Sequence, residues 1–487
     1  MRYSPAVHAF DRYAGYTDLA ALLAYTAKPL RKSVRVNTLK STVERFAAHA
    51  KSEAWAIAPV PWCDQGFFVE RENRERALGR DMLHLLGHMY MQEASSMLPV
   101  SLLDPQPGEQ ILDMSAAPGS KTTQMAALMG NTGVIVANDA QEQRLWTLQS
   151  ALQRCGVINA IVVKKVGQWY AKHMTERFDR VLCDAPCTAQ GTARKDSDAL
   201  RYCSMDNITK MARLQEELLT AAIHAAKVGG RIVYSTCTLT PEENEGVIRA
   251  ILNNFGDQLS VLHPGNILKN KDIQKAVDDS DLVQRSMGAS TCFPAMRVWP
   301  QTYDTEGFFS CILEKKASTR APMKMDIEEL AEKPLGSSGR SFALDAMRSM
   351  YGTPFVRDDE WLLKRPGKDA SEQIVITSGA AWEFPLPTRA MAVGLPYAKR
   401  MPSDADRPPR LRISHEMATL RGSEATQGVF PLDQDALEEI FKGGNPSCPP
   451  DLRGDMLLIH DGICVGRGLA KDGIIKNALP REVVRHG

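Results

Sequence analysis

The middle of the chain alternates between two hydrophobic periods. Short apolar runs of strand length are each followed by a stretch with apolar residues at helical spacing, and the longest such stretch covers about 207–228. Strands that alternate with helices predict right-handed crossovers and a parallel, doubly wound α/β sheet of the Rossmann-like type. In such a sheet, ligands bind beyond the carboxyl ends of the strands. The predicted strands cover 110–113, 133–139, 160–163, 178–184 and 231–236.

The same patterns divide the chain into regions. Upstream of the sheet, short helical patterns surround a strand-like run at 33–37. Downstream, residues from about 318 to 345 are charged and rich in Pro, Gly and Ser, which predicts a connector. Strand-length segments such as 374–376 and 456–459 come after it. We therefore predict an N-terminal α+β region (1–95), the sheet domain (96–317), a connector with a first C-terminal domain (318–400) and a β-rich domain (401–487).

The amino-acid composition indicates a globular protein and argues against several other classes. The chain has 487 residues, of which 44% are hydrophobic, and this is ordinary for a globular protein. Its ten cysteines are scattered, and no two CxxC pairs stand at zinc-finger spacing, so neither a disulfide framework nor a metal site is expected. No run approaches the roughly 20 apolar residues of a membrane span, and the start has no apolar signal core. We predict a cytoplasmic protein with no membrane segment.

Small residues follow the first predicted strand and let a ligand approach the backbone closely. At the end of the second strand, Asp139 is suited to accept hydrogen bonds from ribose hydroxyls. Neither GxxxxGK[ST] nor GxGxxG is present, so a nucleoside cofactor without phosphates, such as S-adenosyl-L-methionine, fits better. A tight turn beside a solvated acid remains the alternative. The small residues are Ser115, Ala116, Ala117, Pro118, Gly119 and Ser120.

Two cysteines stand at the ends of neighbouring strands. Cys187 follows the fourth strand, three residues after Asp184, and Cys237 ends the fifth. Carbon 5 of cytosine is a poor nucleophile, but a thiolate added to carbon 6 turns the base into an enamine that can attack a methyl sulfonium. An acid such as Asp184 could bind the N3/N4 edge of the base. Either cysteine alone is more often a small buried apolar residue, but the pair beside an acid favours catalysis.

At these positions the chain resembles the Sun-type RNA cytosine-C5 methyltransferases, most closely the members that modify 16S ribosomal RNA. The resemblance spans nearly the whole chain and implies methylation of cytosine C5 in RNA with S-adenosyl-L-methionine as cofactor. The N-terminal region (1–95) is expected to bind RNA, and the final β-rich segment (401–487) resembles a PUA-like RNA-binding domain. The matching motifs are RVNTLK (35–40), MQEASSMLPV (91–100), LDMSAAPGSKTTQ (112–124), FDRVLCDAPCTAQG (178–191), RKDSDAL (194–200), GGRIVYSTCTLTPEENE (229–245), DTEGFF (304–309) and KNALPREVVRHG (476–487).

The resemblance also implies a role for each site residue. Cys237 would be the nucleophile, Cys187 would assist release of the methylated product, and Asp184 would contact the target base and the cofactor's methionine side. Lys121 would steady the site, and the loop from 115 to 121 would wrap the cofactor while Asp139 binds its ribose. Two positions depart from the family, which usually has Cys in place of Ser115 and, at the adenine amino group, Asp in place of Val166.

The expected partner is RNA, with 16S ribosomal RNA of the small ribosomal subunit as the predicted substrate and a monomer as the predicted state. Because the net charge is only +1, phosphates must be bound by local basic patches. A DNA cytosine methyltransferase with Cys187 as nucleophile is one alternative; a noncatalytic RNA-binding or ribosome-assembly factor, or a tRNA substrate, are others. The candidate phosphate contacts are Arg31, Lys32, Arg35, Lys40, Arg194, Lys195, Arg467, Lys471, Lys476, Arg481 and Arg485.

Overall fold

A computed structural model describes residues 9–72, 77–268, 293–365, 372–401 and 410–484, and these residues form four β-sheets with helices around them. Arg485 lies outside the described residues. Across these stretches, the structure contains no helix with both the length and the apolar character needed to cross a lipid bilayer.

The N-terminal region is a small antiparallel sheet with short helices, and it confirms the predicted strand near 33–37. Its described strands lie in the order β2-β3-β1-β4. The Thr42 side chain accepts a hydrogen bond from the Arg45 backbone and so caps the start of helix α2. The elements are α1 (Leu19–Thr26), β1 (Lys32–Val36), α2 (Val43–Ser52), β2 (Trp55–Val60), β3 (Cys63–Arg71), α3 (Met82–Leu85) and β4 (Met89–Met91).

The central domain confirms the predicted doubly wound sheet. The predicted helix over 207–228 ends earlier, because the chain from Ala226 onward pairs with Phe178 of the preceding strand. The elements are α4 (Leu98–Leu103), β5 (Gln110–Asp113), α5 (Ser120–Leu128), β6 (Val134–Asn138), α6 (Glu142–Cys155), β7 (Ala160–Val163), α7 (Tyr170–His173), β8 (Phe178–Asp184), α8 (Met205–Ala225), β9 (Ala226–Thr236), α9 (Glu245–Phe255), β10 (Leu259–Leu262), β11 (Met296–Val298), α10 (Pro300–Tyr303) and β12 (Phe308–Lys315).

The order of these strands brings the ends of β8 and β9 together. The path runs β10-β12-β9-β8-β5-β6-β7, with β5 to β9 parallel and β12 antiparallel to β9. Strands β6 and β7 are buried along their whole length because apolar clusters cover both faces of the sheet. Polar side chains therefore reach a ligand at the carboxyl ends of the parallel strands.

The C-terminal half contributes two further sheets, ordered β13-β14-β15-β17-β18 and β19-β20-β21-β22. Residue 400, where we predicted a domain boundary, lies inside β17, which pairs with β18 across it. The elements are β13 (Lys333–Pro334), α11 (Ser337–Tyr351), β14 (Glu360–Arg365), β15 (Glu372–Ser378), α12 (Gly379–Trp382), β16 (Ala392–Val393), β17 (Leu395–Met401), β18 (Arg410–Ile413), α13 (His415–Arg421), β19 (Val429–Pro431), α14 (Gln434–Phe441), β20 (Gly454–His460), β21 (Ile463–Lys471) and β22 (Ile474–Asn477).

Strand β16 extends the central sheet by pairing antiparallel with β7. The two ends of the chain also share one apolar cluster, in which Val36 and Phe46 of the N-terminal region join Leu437 and Ile440 of helix α14. Burial of this shared apolar surface holds the N-terminal and C-terminal regions together.

Lys40 also joins these regions through hydrogen bonds, so the prediction that it contacts phosphate is wrong. Its Nζ donates to the carbonyl oxygens of Leu86 at 3.0 Å and Arg154 at 2.8 Å, and to the Thr419 hydroxyl at 2.9 Å. These three bonds use the three protons of the ammonium group. Burial lowers the pKa of Lys40 to about 8.

Candidate active site

The small-residue loop after β5 is hydrogen-bonded to the neighbouring strand and leaves the start of α5 open. The Ala116 amide donates to the carbonyl oxygen of Asn138 at 2.7 Å. Gly119 has a φ of 110°, and a Cβ there would lie 2.8 Å from the Cβ of Ala151. Only glycine suits this position. Because no side chain in the described part of the chain caps α5, its first amide groups can receive an anionic or polar ligand group.

Asp139 follows β6 and offers one unused oxygen. Its Oδ1 accepts a hydrogen bond from the Gln141 amide at 2.9 Å. Its Oδ2 is buried and accepts no hydrogen bond from any described residue, although Arg144 Nη1 lies 3.2 Å away. A buried acceptor without a partner is costly, so this atom suits a ligand hydroxyl. Val166, beyond the end of β7, is 60% exposed and offers only an apolar side chain to this region.

The structure brings the two predicted cysteines together. Their sulfur atoms are 3.4 Å apart, and both side chains are partly exposed. Asp184 ends β8 and lies in register with Ser235 of β9, two residues before Cys237; its Oδ2 is 2.7 Å from Lys121 Nζ, and its Oδ1 accepts from the Ser235 hydroxyl at 2.7 Å. The thiol of Cys237 is therefore neither sealed in packing nor remote from the Asp184 carboxylate.

The surroundings of Cys187 and Lys121 keep both side chains protonated at neutral pH. The hydrogen bond with Cys237 and burial raise the pKa of Cys187 well above its usual range, so this thiol holds its proton at neutral pH. Burial opposes the charge on Lys121, but the Asp184 carboxylate outweighs it and raises the pKa of Lys121 overall. Lys121 therefore stays cationic beside Asp184.

Comparisons with known proteins agree with this arrangement. A family model described as 16S rRNA methyltransferase RsmB/F matches residues 100–314, and one for the N-terminal domain of RsmF matches residues 8–94. Ribosomal RNA small subunit methyltransferase F of Vibrio vulnificus is 34% identical over 95% of this chain and 93% of its own length. The protein of the same description from Aeromonas salmonicida is 36% identical over 96% and 94%. The chain belongs to the RsmB/F family of 16S rRNA methyltransferases.

Membership of the RsmB/F family confirms the predicted resemblance, and solved structures support the fold. A methyltransferase homologue from Pyrococcus horikoshii is 33% identical, with a TM-score of 0.51, and the match covers 64% of this chain and all of the homologue. NSun6 from Pyrococcus horikoshii has a TM-score of 0.53 at 21% identity, over 65% of this chain and 98% of its own. The latter likeness concerns the fold alone.

Sequence reasoning missed Glu243, a fully buried carboxylate that joins the two cysteine loops of this family member. Its Oε2 accepts from the Thr188 amide at 3.0 Å and from Gln215 Nε2 at 2.9 Å, and its Oε1 accepts from the Thr240 hydroxyl at 2.7 Å. Thr188 follows Cys187, and Thr240 follows Cys237 by three residues. The acids of the PEENE segment were the available signal, but spacing alone did not show which of them points inward.

Replacing Glu243 by glutamine should loosen both cysteine loops. We expect the free energy of unfolding to fall by about 1–3 kcal/mol, because an amide nitrogen would face hydrogen-bond donors in a buried site. The initial rate of methyl transfer should fall by more than the decrease in the folded fraction of the protein explains. Urea unfolding and initial rates measure the two effects, and Glu328→Gln, at an exposed carboxylate of the connector, is the control. Wild-type stability and rate in Glu243→Gln would contradict this role.

Several predicted phosphate contacts fail because their side chains are buried or paired. Arg35 is 1% exposed; its Nε donates to Gln92 Oε1 at 2.9 Å and its Nη2 to the Thr123 hydroxyl at 2.8 Å, so it cannot reach RNA. The Arg194 side chain is 1% exposed as well. Arg31 lies 3.5 Å from Glu70, and Arg467 lies 3.8 Å from Asp455. The candidates with exposed side chains are Lys32, Lys195, Lys476, Arg481 and Lys471, the last of which lies 3.9 Å from Asp472.

Proposed function

We propose that the chain methylates carbon 5 of a cytosine in 16S ribosomal RNA, with S-adenosyl-L-methionine as methyl donor and Cys237 as nucleophile. The observation that carries this proposal is the pair of sulfur atoms 3.4 Å apart at neighbouring strand ends, beside the ion pair of Lys121 and Asp184. Action in the cytoplasm, as a monomer, on the small subunit or its RNA belongs to the same proposal.

The residues present fit the proposed cofactor. The open start of α5 and the loop from 115 to 121 would hold its amino-acid part, and Oδ2 of Asp139, which is ion-paired with Arg144 but accepts no hydrogen bond from the described residues, would accept from the ribose. Lys121, held by Asp184, would keep the loop close to the cysteines. When bound, this cofactor supplies an electrophilic methyl group on a sulfonium.

Cys237 would begin the reaction. Its thiolate forms a bond to C6 of the cytosine, and the electrons of the C5–C6 double bond move toward the N3/N4 edge, where Asp184 can hold the base. Carbon 5 thereby becomes nucleophilic and takes the methyl group. To finish, C5 must lose its proton, and the C6–sulfur bond must break to return the thiolate of Cys237.

Cys187 would accept that proton. Before attack, the hydrogen bond with Cys237 raises the pKa of Cys187 and keeps it protonated. Forming the carbon–sulfur bond removes the negative charge from Cys237, so the pKa of Cys187 falls and its proton can pass to water. The Cys187 thiolate then takes the C5 proton, which allows Cys237 to leave.

Transfer of label from radioactive S-adenosyl-L-methionine to RNA tests the function. We expect label in small-subunit RNA, released as 5-methylcytidine after nuclease digestion. Free 16S RNA, assembled 30S subunits and tRNA are compared as substrates. Binding of RNA without transfer would instead identify a noncatalytic factor, and label in tRNA alone would reject the ribosomal substrate.

Val166→Asp should tighten cofactor binding. The family usually has Asp at this position, and the exposed valine offers no polar group to the adenine amino group. We expect the dissociation constant to fall by roughly tenfold, the effect of one hydrogen bond to a charged group. Calorimetric titration of S-adenosyl-L-methionine into both proteins measures it, with Val166→Asn as the uncharged control. Unchanged or weaker binding by Val166→Asp would contradict the prediction.

A further inference from the structure

Two exposed lysines near the cysteine loops lack a carboxylate partner within the described stretches. Lys195 follows the first cysteine motif, and neither a salt bridge nor a side-chain hydrogen bond engages its ammonium there. Lys28 is also exposed, and its Nζ lies 3.8 Å from the centroid of the Tyr25 ring. An ammonium over an aromatic face keeps protons available for an anion.

Buried Arg194 fixes these two lysines relative to each other. Its Nε donates to the carbonyl oxygen of Lys28 at 3.3 Å, and its Nη2 donates to that of Pro29 at 2.9 Å. Its Nη1 donates to the carbonyl oxygen of Thr305 at 3.0 Å, and Asp304 Oδ1 lies 2.7 Å from its Nη2. With these partners Arg194 cannot bind RNA itself, but it holds the chain at Lys28 against the segment that carries Lys195.

The same segment is bonded to the backbone of the proposed nucleophile. The Gly191 amide donates to the carbonyl oxygen of Cys237 at 2.9 Å, and the Lys195 amide donates to that of Thr192 at 2.9 Å. Because a Cβ on Gly191 would lie 2.7 Å from the Cys237 oxygen, only glycine allows this approach. The position of Lys195 is thus tied to the cysteine pocket by short-range backbone contacts.

The acids next to Lys195 in the chain are engaged by other groups, because Asp196 Oδ1 accepts from the Asp198 amide and Asp198 Oδ1 lies 3.2 Å from Arg201 Nε. Glu306 and Glu93 lie on the same side, and Arg194 and Lys195 act electrostatically on Glu306. Burial, with repulsion from Glu93, raises the pKa of Glu306 to about 8, and burial raises the pKa of Glu93 as well. Glu306 is therefore mostly neutral at pH 7, and Asp304 is already paired with Arg194.

We propose that Lys28 and Lys195 bind backbone phosphates of the RNA strand beside the target cytosine, on a surface that Arg194 holds at the entrance to the cysteine pocket. This inference rests on the proposed function for its ligand, a single strand, since a base must leave its stack to meet Cys237. The two lysines would position the strand without reading its sequence.

Salt-dependent RNA binding tests the surface without turnover. In a Cys237→Ala background, the affinity for a short single-stranded RNA containing one cytidine is measured between about 50 and 200 mM salt. Lys28→Gln and Lys195→Gln should each weaken binding and reduce the slope of log K against log salt by about 0.7, the value for one phosphate contact on a single strand. In the variant with both lysines replaced, this slope should be smaller by about 1.4.

Lys399→Gln is the matched control, because Lys399 is an exposed lysine of strand β17. It should leave the slope unchanged, and the affinity for S-adenosyl-L-methionine should stay at its wild-type value in all variants. If the salt slopes of Lys28→Gln and Lys195→Gln equalled that of the Cys237→Ala parent or of Lys399→Gln, the proposal that these two lysines bind phosphates would be wrong. That result is separate from the proposed function, which is tested by transfer of labelled methyl groups to RNA by the wild-type protein.

Discussion

Replacing Cys237 by alanine is expected to reduce methyl transfer to RNA by at least about 10³-fold, to the detection limit of a labelled-cofactor assay. Without this sulfur, carbon 6 of the cytosine receives no nucleophile and carbon 5 stays unreactive. The loss should appear in the rate, whereas the affinities for S-adenosyl-L-methionine and for RNA should change little.

Cys448→Ala is the matched control, because Cys448 is another partly exposed cysteine, distant in sequence from both cysteine motifs. It should keep the wild-type rate. If Cys237→Ala retained activity while Cys187→Ala lost it, the nucleophile would be Cys187, as in the DNA cytosine methyltransferase alternative. Activity in both single variants would reject covalent catalysis by this pair.

Replacing Cys187 by alanine should trap the protein on its RNA. Cys237 can still add to carbon 6 and carbon 5 can still be methylated, but the sulfur 3.4 Å away that would take the C5 proton is missing. We expect turnover to stop near one methyl group per protein, and a covalent complex that survives denaturing electrophoresis and disappears on RNase digestion.

The double variant Cys187→Ala with Cys237→Ala separates this adduct from tight noncovalent binding, since it should form no band that resists denaturation. Normal multiple turnover in Cys187→Ala would show that water or another group removes the C5 proton. Cys187→Ser should lie nearer to alanine than to wild type, because a hydroxyl is a far weaker acid than a thiol.

Most of the central sheet could be predicted from the chain because its signals are local. An apolar run such as 160–163 reads as a buried strand wherever it stands, and the structure has β7 over the same residues. Pairing is not local. No pattern around residue 392 indicates that β16 would extend the edge of this sheet at β7, since that contact depends on the path of the whole C-terminal half.

The roles of the basic residues also could not be predicted from the sequence. Arg35, Lys40 and Arg194 stand in motifs that match the family, and nothing in the sequence distinguishes them from exposed Lys195, the neighbour of Arg194. The structure uses their side chains to join segments that are distant along the chain, such as Lys40 with Thr419. A guanidinium or ammonium group serves either purpose, and burial decides between them.

The amino-acid sequence by itself determined the alternation of strands and helices, the small-residue loop and the presence of two cysteines after successive strands. Each of these features depends only on residues that are neighbours in the chain. Tertiary structure alone decided that those cysteines meet at 3.4 Å, that Glu243 joins their loops and that Lys28 and Lys195 have no carboxylate partner among the described residues. The physical reason is that distances between segments and the burial of charge arise only when the elements pack, and they depend on every segment that shares the interface.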